Sequence, residues 1–274
     1  MGVAYGRGAR HVAMAAGPEF APDTVHKMFP NLDWTIVRAE PFDFEKCMAD
    51  RFGENAVIQR AIYNATPAGR HIFIGGDHSV NFGHFSAIAD AFPNDDVCLV
   101  YVDAHLDIHT PQSSAAQASG APHGANVRAD LGDGDSRWFE FTTRRPALLP
   151  QNLFYIGTRA FEDAEINFVR EQNIFMRTPA DIATPSALTQ VISDIRKRIA
   201  GRPFVISFDF DAIDPNTFHD VWVPEPGGIS IDAARYIINQ FHDAYSFEFV
   251  EYAPTGDKQS AEIVHELVAQ VTDF

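Results

Sequence analysis

The chain has 274 residues, 21 of them basic and 37 acidic, for a net charge of −16. That balance argues against nucleic acid or an anionic membrane as partner. No apolar run approaches the ~20 residues of a membrane span, no signal peptide opens the chain, and Cys47 and Cys98 are too few for a disulfide framework. The expectation is a cytoplasmic protein folded as one domain over residues 1–274.

Residues 1–8 read as a short strand running into a Gly-rich turn, since the loop has neither GxGxxG nor P-loop spacing. Residues 34–38 form a strand. Residues 53–66 carry Val57, Ile58, Ala61 and Ile62 at helical spacing and stop at Pro67. Residues 71–74 are a short apolar strand ending in Gly75, Gly76, Asp77, His78 and Ser79, where the glycines permit a sharp turn. Residues 97–102 are a continuously apolar strand that runs into Asp103, His105 and Asp107. In extended backbone these alternate positions share one face, so three metal-competent groups converge.

A long loop, about 109–137, is rich in Ser, Ala, Gly and Asp, and a loop of that length is usually functional or disordered. Residues 153–157 are a strand, 162–171 a helix and 173–176 a further short strand. Residues 185–200 are helical, with Leu188, Val191, Ile192, Ile195 and Ile199 on one face and Gly201 as the stop. Residues 204–208 are a buried strand ending in Asp209, Phe210 and Asp211. Residues 231–244 are a helix, 247–252 the last strand with Glu251 near its end, and a closing helix starts near Gln259. Alternating strands and helices with continuously apolar strands predict a parallel sheet covered on both faces. Ligands of such sheets bind beyond the carboxyl ends of the strands.

The groups at those ends are His78, Asp103, His105, Asp107, Asp209 and Asp211, four carboxylates and two imidazoles. This exceeds what one zinc with three protein ligands needs. It suits two divalent ions of intermediate hardness, Mn²⁺ first among them. Such a pair can generate a hydroxide near neutral pH and present it to an electrophilic carbon. His11, His26, His71, His84, His219, His242 and His265 show no partner pattern and read as structural.

Three segments together resemble the ureohydrolases, the arginase–agmatinase superfamily. They are Gly75-Gly76-Asp77-His78-Ser79, Val102-Asp103-Ala104-His105-Leu106-Asp107, and the run from Ser207 through Asp209 and Asp211 to Asp214-Pro215. The resemblance implies a three-layer α/β/α sandwich around a mostly parallel, eight-stranded sheet, two Mn²⁺ ions, and hydrolysis of a guanidino group to urea. It implies a small cationic guanidino or amidino substrate and a homo-oligomer, trimer or hexamer. By the same resemblance His78, Asp103, Asp107 and Asp209 hold one ion, and Asp103, His105, Asp209 and Asp211 the other, with Asp103 and Asp209 bridging. His123, in Ser119-Gly120-Ala121-Pro122-His123-Gly124, corresponds to a proton-shuttling histidine, and Glu251 to the carboxylate that pairs with the guanidinium. Asp107 then passes a proton from the attacking hydroxide to the leaving nitrogen.

The substrate rim departs from its relatives. His109 stands where arginases usually have Asn, Ser119 is retained, and Ala121 replaces a polar contact. Glu162 stands where arginases use Asp to hold an α-amino group. Pro224-Glu225-Pro226-Gly227-Gly228 looks agmatinase-like, and Trp222 replaces small residues. Arginine or a close analogue ranks first as substrate, agmatine or another guanidino acid second, formimidoylglutamate third. A single-zinc, deacetylase-like enzyme would leave ligands over, and intact His123 and Glu251 argue against a catalytically silent regulatory subunit.

Overall fold

Eight strands form one sheet in the computed structural model, which describes residues 1–9, 17–40, 44–117 and 120–273. They are β1 (Gly2–Ala4), β2 (Ile36–Arg38), β3 (His71–Ile74), β4 (Cys98–Val102), β5 (Leu153–Ile156), β6 (Phe175–Arg177), β7 (Phe204–Asp209) and β8 (Ser246–Val250). Every pairing between them is parallel, in the order β2-β1-β3-β8-β7-β4-β5-β6. The helices are α1 (Ala21–Met28), α2 (Phe44–Ala49), α3 (Arg51–Ala65), α4 (Asn81–Ala91), α5 (Pro111–Gln117), α6 (Asn126–Asp130), α7 (Asp163–Glu171), α8 (Pro185–Ile199), α9 (Ile231–Gln240) and α10 (Lys258–Ala269).

Strand alternation separates two cores. On β4, Cys98, Val100 and Val102 pack with residues of α1, α8, α9 and α10, whereas Leu99 and Tyr101 pack with residues of α4, α6 and α7. Both faces of the strands are therefore covered, which is why they carry no polar alternation. The expected three layers and parallel sheet are what the chain forms.

The face of α8 is buried as its spacing predicts. Each such aliphatic side chain contributes roughly 1.5–3 kcal/mol. Thr184 caps its start by accepting the Ala187 N–H at 3.2 Å, with Pro185 in the first turn. The stop comes one residue earlier than expected, with Ala200 already left-handed at φ 53° ahead of Gly201. Three other expectations shift. The stretch 109–137 holds α5, α6 and two 3₁₀ turns rather than plain loop. The helix from Ile231 ends at Gln240, where the Phe241 N–H folds back onto the Ile237 and Ile238 carbonyls. Helices α1 and α4 are additions to the elements expected from the sequence. Ser119 and His11 lie outside the described residues.

Candidate active site

β3, β8, β7 and β4 are four adjacent strands at the centre of the sheet, and each releases its chain into the same region. After β3, Gly76 passes so close to Tyr5 that an added Cβ would fall 1.6 Å from the Tyr5 carbonyl oxygen. Close approach, not a positive φ, is what demands glycine there. Asp77 then caps a 3₁₀ turn by accepting the Ser79 N–H at 2.9 Å, and that turn presents His78.

After β4 the backbone does not stay extended, contrary to the sequence argument. The strand ends at Val102, the chain bends at Ala104 and His105, and Asp107 is left-handed at φ 50°. Asp103, His105 and Asp107 converge through this bend rather than through strand alternation. Backbone amides aim two of the carboxylates: His105 N–H donates to Asp103 Oδ1 at 2.6 Å, and Asp211 N–H to Asp209 Oδ1 at 2.7 Å. Arg159 fixes the β7 turn by donating to the carbonyls of Asp211 at 2.9 Å and Ala212 at 3.2 Å, and also to those of Glu225 and Pro226.

All six candidate ligands meet. His78 Nδ1 lies 2.9 Å from Asp103 Oδ2, 3.1 Å from Asp209 Oδ2 and 3.6 Å from Asp107 Oδ2. His105 Nδ1 lies 3.0 Å from Asp211 Oδ2 and 3.5 Å from Asp103 Oδ1. His78, Asp103 and Asp107 form one trio of donors and Asp103, His105 and Asp211 another, each within 4.8 Å, with Asp103 common to both. Asp103 Oδ2 is buried and receives no hydrogen bond. A buried carboxylate oxygen left without a donor, at the junction of two His/Asp sets, fits a pair of hard-to-intermediate cations.

Charge crowding shows in the titration of the site. Burial, then the neighbouring Asp103, pushes Asp107 up to about 6. Burial likewise raises Asp209 well above the carboxylate range, with Asp211 and Asp103 adding to it. Burial opposes charge on His78, but the Asp103 and Asp209 carboxylates outweigh it and raise its pKa well above the ordinary value. Burial lowers His123.

Glu251 follows β8 with a left-handed backbone, φ 64°, and is 4% exposed. Its Oε1 accepts the His78 N–H at 2.9 Å and lies 3.8 Å from His123 Nδ1. Burial raises it to about 7. His123 is anchored by its own N–H, which donates to Gly8 O at 3.2 Å. Glu251 and His123 line a cavity of about 430 Å³ together with His105, Asp107, Asp209 and Asp211, and its lining also includes His109, Glu162, Glu165, Trp222 and Glu225. His109 is 3% exposed, its Nε2 is 2.9 Å from Glu162 Oε2, and its Nδ1 is 2.9 Å from Ser113 Oγ.

Several participants were not read from the sequence. Tyr101 stacks on the His78 ring, centroids 4.4 Å apart, and donates to Asp107 Oδ2 at 2.9 Å. Glu165 accepts the Ile108 N–H at 3.2 Å and the Glu162 N–H at 3.0 Å, so it ties two rim loops together. Burial raises it to about 9. The polar Tyr101 tip inside an apolar strand was the available signal.

A sequence model of the arginase family matches residues 2–272. The chain belongs to the arginase family. This arginase-family chain is 31% identical over 194 residues to the arginase of Entamoeba histolytica, an alignment covering 69% of it and 63% of that protein. The alignment with the Glaciozyma antarctica arginase, 32% identical, spans 66% of the chain and 52% of that relative. The crystal structure of the E. histolytica arginase superposes with a TM-score of 0.83 at 23% identity, covering 100% of this chain and 97% of that one. A Bacillus subtilis formimidoylglutamase structure shares the fold, with a TM-score of 0.75 at 18% identity over 98% of this chain and 84% of that one. No described helix of the arginase-family chain is long and apolar enough to cross a membrane.

Proposed function

We propose that this arginase-family hydrolase is a binuclear-manganese amidinohydrolase that converts the guanidino group of arginine or a close analogue to urea and an amine. The observation that carries the reading is the pair of donor trios sharing Asp103, set beside a buried Glu251 at the floor of one cavity. His78, Asp103, Asp107 and Asp209 would hold one Mn²⁺, and Asp103, His105, Asp209 and Asp211 the other. When bound, the ions supply a water acidified enough to act as a nucleophile near neutral pH.

The chain's own residues perform the rest. Glu251 Oε accepts from the guanidinium N–H groups and fixes the plane of the electrophilic carbon. A C–O bond forms there, and the proton of the incoming oxygen passes to the Asp107 carboxylate, whose raised pKa suits transient protonation. Asp107 returns it to the departing nitrogen as the C–N bond breaks. His123, beside Glu251, supplies the second proton that leaves the product amine as an ammonium. The rim residues His109, Glu162 and Trp222 bound the space open to the rest of the substrate, and the named arginase relatives favour arginine. Ser119 is assigned to substrate binding by the family resemblance alone.

The test is product analysis on arginine, agmatine, other guanidino acids and formimidoylglutamate, with chelated and Mn²⁺-reloaded protein. Urea from arginine, lost on chelation and restored by Mn²⁺, is the expected result. Full activity in the chelated protein refutes the metal reading. Formamide from formimidoylglutamate without urea from any guanidino compound refutes the substrate reading.

A further inference from the structure

Glu248 is fully buried in the middle of β8, on the face that meets α4. A carboxylate in the centre of a parallel sheet needs partners, and it has them on three sides. Asn81 Nδ2 donates to its Oε2 at 2.7 Å, Ser207 Oγ donates to the same oxygen at 2.6 Å, and His84 Nδ1 lies 3.3 Å from Oε1. Burial would raise its pKa, yet the facing His84 imidazole, then His78 and the Ser207 hydroxyl, outweigh this and lower it. Glu248 Oε2, which receives both donors, is thus an acceptor.

Ser207 lies 2.8 Å from His78 Nε2 on its other side. A serine hydroxyl owns one proton. Because that proton is donated to Glu248, the Ser207 oxygen can only accept from His78. Nε2 must then carry a hydrogen, so the neutral imidazole that a cation would take up presents its lone pair from Nδ1. Nδ1 is also the atom that faces Asp103, Asp209 and the Tyr101 hydroxyl, the last at 3.0 Å.

We propose that Glu248, acting through Ser207, is a positioning residue that fixes the His78 imidazole with Nε2 protonated and Nδ1 turned to the metal site. The relay runs from one central strand to the next, β8 to β7, and ends on the turn after β3, so its three members are held by the sheet itself. Outer partners of this kind set the tautomer and basicity of a ligating histidine. Helix α4 contributes the counter-groups Asn81 and His84, and His84 Nε2 in turn meets His71 Nε2 at 2.8 Å. The two histidines that sequence pattern leaves without a role therefore buttress the carboxylate.

The inference rests on the two-ion reading of the site, and Mn²⁺ binding separates the two. Free Mn²⁺ is counted by electron paramagnetic resonance during titration of chelated wild type, E248Q, S207A and the double variant. In E248Q the amide can donate to Ser207, which turns the hydroxyl toward Nε2 and leaves the hydrogen on Nδ1, the wrong nitrogen. E248Q and S207A are each expected to weaken one of two ions by about 10- to 100-fold. The double variant should be no weaker than the worse single one, because both act through one relay. S207A keeps Glu248 and removes only an oxygen, so it carries the test if E248Q does not fold. Wild-type affinity for both ions in S207A overturns the proposal, as do additive losses in the double variant. Wild type that takes up no Mn²⁺ overturns the two-ion reading and this inference together.

Discussion

Replacing Glu251 by Gln tests the substrate assignment most directly. The side chain is 4% exposed, and its Oε1 already accepts the His78 N–H at 2.9 Å. Its own N–H donates to Gly76 O at 2.8 Å, which holds the left-handed backbone. Glutamine keeps an oxygen for His78 and the same length, so the turn and the candidate ligand it supports should survive. What disappears is the negative charge opposite the guanidinium. Truncating one partner of a buried, hydrogen-bonded charge pair costs about 2–5 kcal/mol. At 1.36 kcal/mol per factor of ten, that is a loss of about thirtyfold to several thousandfold in kcat/KM. The assay is initial-rate urea release from arginine with Mn²⁺ content measured on the same samples. A variant within about threefold of wild type would refute the pairing of Glu251 with the guanidinium. Loss of Mn²⁺ in parallel with activity would refute it too, by moving the residue's role to the metal.

Other consequences follow from the same groups. Burial raises Asp107 to about 6 and lifts Asp209 well above the carboxylate range, and the neighbouring carboxylates raise His78 well above the ordinary imidazole value, so the ion-free site retains protons at and above neutrality. Mn²⁺ takes deprotonated donors, so its apparent affinity should climb as pH rises from about 5 through neutrality; calorimetric titrations showing a flat profile would contradict this. Asp130 is fully buried with no hydrogen bond to either carboxylate oxygen, and burial pushes its pKa well above the usual range. A raised folded-state pKa means stability is lost as pH rises above the unfolded carboxylate value. Asp130→Asn should therefore stabilise the chain by about 1 kcal/mol or more at neutral pH, with the gain vanishing where the unfolded Asp is also protonated. Thermal melts across pH that show no gain at neutrality would count against it.

The strands, the parallel sheet and the six ligand candidates were legible because each rests on a local pattern. An apolar run with no polar alternation states that both faces are covered, and a polar cluster at its end states where the ligand lies. His78, Asp103, His105, Asp107, Asp209 and Asp211 could be named on that ground, and the resemblance added His123 and Glu251. Helix α4 escaped because it has no amphipathic stripe. Asn81, Phe82, Gly83, His84, Phe85, Ser86, Ile88 and Ala89 are all buried, so its polar residues face the interior instead of marking a solvent side.

What the sequence by itself determined is the inventory of donors and the class of fold that carries them. The tertiary structure alone decided that β3, β8, β7 and β4 are neighbours, since strands far apart in the chain pair through non-local backbone hydrogen bonds that leave no local signature. It decided that Asp103, His105 and Asp107 meet through a bend with a left-handed residue, and that His109 and Glu162 join across 53 positions. It also decided that a glutamate in an apolar strand, a serine in the next and a histidine on the turn after a third form one relay. Hydrogen bonds are short and directional, so only the register of the paired strands can place those atoms in line.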